Sequence, residues 1–87
     1  MCPEELVFYM IQGREIECTF NSTEYFIEPE FKGNIRDEFK VNLYICNKGQ
    51  SSKQIFCGSP LEVLNFEFEG KYKLLEHWDM FSVQYIL

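Results

Sequence analysis

An α+β domain, with a mostly antiparallel sheet of about five or six strands and one or two short helices on one face, is the fold class the sequence predicts. Three observations carry that expectation. Between Phe39 and Cys46, apolar Phe39, Val41, Leu43 and Ile45 alternate with Lys40, Asn42, Tyr44 and Cys46, the period-two pattern of a half-buried strand. A polar run, Asn47-Lys48-Gly49-Gln50-Ser51-Ser52, then leads into Lys53 to Cys57 with β-favouring Ile55 and Phe56, so the two segments read as a hairpin. Directly after it, Ser59-Pro60-Leu61-Glu62 supplies a helix N-cap, a proline at the first helical position and a carboxylate three residues beyond the serine.

The other elements follow in chain order. Leu6 to Ile11 is apolar on both strand faces and rich in β-branched and aromatic residues, which favours an inner strand over the competing helix that would begin at Pro3 with Glu4 and Glu5 in its first turn. Gln12-Gly13-Arg14 turns the chain, and Ile16, Cys18 and Phe20 alternate with Glu15, Glu17 and Thr19, completing a first hairpin. Asn21-Ser22-Thr23 breaks the chain before a short strand over Glu24 to Glu28 that Pro29 is expected to stop. Residues 30–38 read as loop, with one helical turn over Ile35 to Glu38. The helix from Pro60 places Leu61, Leu64 and Phe68 on one side. Gly70 marks a stop or turn, a second short helix covers Leu74 to Asp79, and Phe81 to Leu87 is apolar enough to pair inside the sheet. Phe39, Val41, Leu43, Ile45, Ile55, Leu61 and Leu64 form the expected buried group.

One domain over 1–87 is expected from the size, since a chain of this length buries roughly 60–65% of its extended surface on folding. Nine Phe, five Tyr and one Trp supply the area a thin core needs. The start of the chain lacks the basic stretch of a signal peptide, and no apolar run approaches the roughly 20 residues of a membrane span, so a cytoplasmic protein is expected. Cys2, Cys18, Cys46 and Cys57 show no Cys-x-x-Cys spacing and read as reduced thiols, with Cys18 and Cys57 on inward faces and Cys2 accessible. Neither a Gly-rich phosphate loop nor an Asp-rich calcium loop is present, and His77, the only histidine, has no partner that the sequence identifies. The reading is therefore no enzyme, no cofactor and no metal.

Charge placement is more informative. Residues 1–39 hold nine acids against Arg14, Lys32 and Arg36, a net of 3 − 9 = −6, whereas residues 40–87 balance five acids with five lysines. Glu15 and Glu17 leave one side of a strand and Glu24, Glu28 and Glu30 follow closely, so these five carboxylates are the candidate partner-binding patch. A negative patch steers toward a protein with a basic surface and away from nucleic acid and anionic membranes. In size and acidity, though in no motif, the chain resembles small phage-encoded inhibitors such as anti-CRISPR proteins. That resemblance implies an inhibitor occupying the basic site of a nucleic-acid-handling protein. A structural or assembly subunit, dimeric through a sheet edge or an aromatic patch, is the alternative.

Overall fold

The computed structural model describes residues 2–31, 39–46 and 51–87. In chain order the elements are α1 (Pro3–Ile11), β1 (Ile16–Phe20), β2 (Thr23–Phe31), β3 (Phe39–Cys46), β4 (Lys53–Gly58), α2 (Pro60–Leu64), β5 (Glu67–Phe68), β6 (Tyr72–Lys73), α3 (Leu74–His77), a 3-10 turn (Trp78–Met80) and β7 (Ser82–Ile86). Five strands form an antiparallel sheet in the order β4-β3-β2-β1-β7, and β5 and β6 form a separate two-stranded ribbon. The helical turn expected over Ile35 to Glu38 and the side chain of Phe39 lie outside the described residues.

Local chemistry explains the joints. Asn21 and Ser22, with φ of 48° and 65°, make the two-residue turn between β1 and β2, both in the left-handed conformation that matches strand twist. Ser59 caps α2: its hydroxyl accepts the Glu62 backbone N–H at 3.2 Å, and its own N–H donates to the Glu62 carboxylate at 3.1 Å. The far strand β7 is held beside β1 by ladder pairing, by the Leu87 N–H donating to the Glu15 carbonyl at 2.8 Å, and by Arg14, which donates to the Ile86 and Leu87 carbonyls.

One side of the sheet carries the core. Ile16, Cys18, Phe20, Tyr25, Ile27, Val41 and Leu43 pack there beneath Leu6 and Met10 of α1 and Val63 and Leu64 of α2. Phe68, fully buried, joins the ribbon to this core through ring contacts with Tyr25 at 4.8 Å, Phe81 at 4.9 Å and Phe66 at 5.1 Å.

Four expectations are corrected. Leu6 to Ile11 is helical, so there is no hairpin with residues 15–20; Pro3 and the two glutamates start the helix, and Leu6 and Met10, four apart, bury one stripe while Phe8 and Ile11 stay exposed. An apolar run without alternation fits either element, and here the packing of the Leu6 and Met10 stripe into the core decides. Strand β2 continues past Pro29 to Phe31, because β1 pairing ends at Ile16↔Ile27 and β2 is locally an edge opposite Val41, where a sheet tolerates proline. Helix α2 ends at Leu64, buries Val63 and Leu64, and leaves Leu61 66% exposed, while Phe68 belongs to β5. Cys57 is exposed instead of inward: the register slips between Leu43 and Tyr44, so Ile55 and Phe56 both pack toward the core and every later residue of β4 changes side.

Candidate functional site

The opposite side of the sheet carries no helix among the described residues. Strand alternation places Glu17 and Thr19 there from β1, Glu24, Phe26, Glu28 and Glu30 from β2, and Asn42, Tyr44 and Cys46 from β3. Register then lines up rows across the strands. Tyr85, Glu17, Phe26, Tyr44 and Gln54 are successive cross-strand partners, a row that runs through all five strands with three aromatic rings and one carboxylate. Phe26 and Tyr44 lie 6.3 Å apart between ring centroids.

The five glutamates do not converge on one point. Glu24 stands opposite Cys46 and Glu30 opposite Lys40, so the carboxylates of β2 spread along about 20 Å of strand at 3.3 Å per residue. Toward one end, Glu17 and Glu24 border a recess of about 180 Å³ with Thr19, Cys46, Gln84 and Tyr85. The irregularity in β1–β7 pairing, which leaves Gln84 unmatched between Val83 and Tyr85, lies at this recess. Toward the other end are Glu28 and Glu30. Glu15 precedes β1 and shares the side of Glu17 by alternation, its carbonyl engaged by Leu87.

A polar network ties the second end together. Asn42, only 5% exposed, donates from Nδ2 to the Glu30 carboxylate at 2.9 Å and accepts on Oδ1 from Gln54 Nε2 at 2.9 Å. Both ends of the amide are therefore satisfied, as a buried amide requires. Burial, followed by the nearby charges of Glu28 and Glu30 and the Cys57 thiol, raises the Tyr44 hydroxyl above its ordinary value.

Elsewhere, the residues with chemistry of their own stand apart. All four cysteines are free thiols; Cys18 lies in the core, where burial and then Cys46 push its thiol up to about 12. Among the described residues no three His, Cys, Asp or Glu side chains gather at metal-binding range. The buried Nδ1 of His77 has no hydrogen-bond partner among the described residues, and its ring meets the Tyr72 edge at 5.2 Å. No helix among the described residues is long and apolar enough to cross a membrane.

Sequence reasoning named the five glutamates but missed Tyr85, Tyr44, Phe26 and the Asn42–Gln54 pair. Their alignment depends on β7 docking against β1 from the far end of the chain, for which there is no local signal. Set against protein-family models, curated proteins and solved structures, the chain matches none of them.

Proposed function

We propose that this chain is a protein-binding module whose helix-free sheet side, bearing Glu17, Glu24, Glu28 and Glu30 around an aromatic row, docks on a basic surface of a partner protein. The observation that carries the reading is the placement of these carboxylates on adjacent strands of a side that no described helix covers. Tyr85, Phe26 and Tyr44 add flat apolar area, and Tyr85 is largely exposed. Carboxylates beside aromatic rings suit arginine, whose guanidinium pairs with the acid and stacks on the ring. The recess between Glu17, Glu24 and Tyr85 is the natural seat for one such side chain. A partner surface that normally binds nucleic acid has this chemistry, and carboxylates spaced along a strand occupy positions that phosphates would take. An inhibitor of a nucleic-acid-handling protein is thus the specific form of the proposal.

Extension of the sheet into a homodimer is the weaker reading. Both edge strands, β4 and β7, carry register irregularities, which twist an edge away from further pairing.

The test identifies a partner by affinity capture on the unaltered chain and then compares the association kinetics of that chain and its Glu17→Lys/Glu24→Lys variant on this partner. The double reversal is expected to slow association about tenfold at low salt and to flatten its salt dependence, with no loss of melting temperature. An association rate indifferent to the reversals would remove the sheet side from the interface. Failure of the chain to displace nucleic acid from that partner would remove the inhibitor form.

A further inference from the structure

On the other side of the molecule the helical layer leaves an apolar groove open. Pro3 and Val7 of α1, Leu61 and Leu64 of α2, Leu75 of α3 and Trp78 of the 3-10 turn line a trough of about 660 Å³. Leu61, Leu75 and Trp78 are 66%, 46% and 37% exposed, although each belongs to the residue types that bury most readily. Three large apolar side chains from three elements, bordering one concavity, make a patch of the kind that marks a docking surface.

Charge selects the occupant. The four elements around the groove carry Glu4, Glu5, Glu62, Glu76 and Asp79 and no lysine or arginine at all. Lys40 of β3 is near enough to Glu62 to favour its ionised form, and Lys73 flanks α3; neither offsets five carboxylates. A second copy docked by this same patch would bring five negative charges against five, and an anionic membrane would be repelled likewise. A cationic partner is attracted.

Backbone chemistry selects its conformation. The groove is walled by side chains of α1, α2, α3 and the 3-10 turn and borders no sheet edge, so it presents no row of strand backbone partners such as an extended peptide needs. An occupant entering it must satisfy its own backbone, which a helix does. We infer that the groove between α1, α2 and α3 is a docking site for an amphipathic helix of a partner protein, with an apolar stripe against Leu61, Leu75 and Trp78 and lysines or arginines flanking the stripe. This site is separate from the acidic sheet side and does not depend on it.

Trp78 is the only tryptophan, so its fluorescence reports the groove directly. The probes are three synthetic peptides added to the full chain: a Leu/Lys amphipathic helix, a Leu/Glu helix of the same pattern, and a scrambled Leu/Lys peptide lacking the stripe. The Leu/Lys helix is expected to shift Trp78 emission to the blue and shield it from iodide; the other two should not. Leu75→Gln and Leu61→Gln, at exposed positions that spare the core, should each weaken that binding about tenfold, the scale of losing one buried leucine. Glu4→Gln/Glu76→Gln should weaken it further as salt falls, while Glu17→Lys/Glu24→Lys on the sheet should leave the Trp78 signal intact.

Several outcomes overturn the inference. No emission shift with the Leu/Lys helix removes the site. Equal binding of the scrambled peptide reduces it to unspecific charge attraction. Equal binding of the Leu/Glu helix removes the role of the acids. A concentration-dependent dimer that shields Trp78 without any peptide assigns the groove to a second copy. Loss of the signal in the sheet variant alone would place the peptide on the other side, a result that leaves the sheet-side proposal standing while this one falls.

Discussion

Asn42 is the residue on which the helix-free side of the sheet turns. It is almost wholly buried, it lies between strands β2 and β4, and its amide joins Glu30 to Gln54 by one donated and one accepted bond. A carboxylate cannot reproduce that arrangement, since it has no donor for Glu30 and brings a like charge beside it. Asn42→Asp is expected to cost about 1–3 kcal/mol at neutral pH, the usual penalty for a buried polar group left without its partner. Protonation restores a donor and removes the repulsion, and burial beside Glu30 raises the new carboxyl, so the deficit should shrink as the pH falls toward about 4. Thermal melts of both proteins at the two pH values decide it; an equal deficit at both would mean that Glu30 does not face this amide. The Cys18 thiol shows burial, with a smaller contribution from Cys46, acting at the same scale. Its raised value means that the fold favours the neutral thiol, so that contribution is fully present below the ordinary thiol value of 9.0 and is lost progressively as the pH rises from there through about 12.

At the scale of the element, α2 depends on its cap. Five residues are too few for a helix to stand on intrinsic propensity. The capping box and the burial of Val63 and Leu64 supply what propensity does not. Glu62 is held below the ordinary carboxylate value first by the Ser59 backbone N–H and then by the Ser59 hydroxyl. The sign follows: a depressed folded-state value gives stability that is present above the unfolded value and is lost as the pH falls through the folded one. Ser59→Ala should lower stability by about 1 kcal/mol at neutral pH, measured by urea denaturation, with less difference at pH values acid enough to protonate Glu62. A Ser59→Ala chain as stable as the original would show that packing of Val63 and Leu64 alone holds this turn. Strand β4 illustrates a different dependence, since one slip in register exchanges the sides of Phe56 and Cys57 and puts a thiol on the acidic side.

Across the whole molecule, negative charge faces outward on both layers. The helix-free side of the sheet bears the glutamates of β1 and β2, and the helical layer bears five more acids, for a net charge of −6 on 87 residues. Like charges on both sides of a thin domain repel through and around it, and counter-ions relieve that repulsion. Raising sodium chloride from about 10 mM, where screening reaches about 30 Å, to about 150 mM, where it reaches about 8 Å, should therefore raise the melting temperature by a few degrees. A melting temperature that falls with salt would mean that attractive ion pairs outweigh the repulsion. The two surfaces proposed for docking differ in texture, one broad and aromatic and one grooved and aliphatic.

The sequence by itself determined what depends on contiguous residues: the alternation of β1 and β3, the β3–β4 hairpin, the cap of α2, the short helix near Leu74, the terminal strand and the α+β class. Turn chemistry, periodicity and capping act over a few residues, so they are legible without the rest of the chain. Alternation alone assigned a side to Glu15 and Glu17, whereas the side of Glu24, Glu28 and Glu30 depends on the pairing of β2 with β1 and β3. Only the tertiary structure decided whether Leu6 to Ile11 coils or extends, since an apolar run satisfies either and the core needs a helical lid over Ile16 and Ile27. It likewise decided that β2 passes Pro29, that Leu61 stays outside, and that Tyr85 reaches the row of Glu17. Each of these rests on which distant segment lies alongside, and such pairing is set by the joint packing of the whole chain, not by any stretch of it.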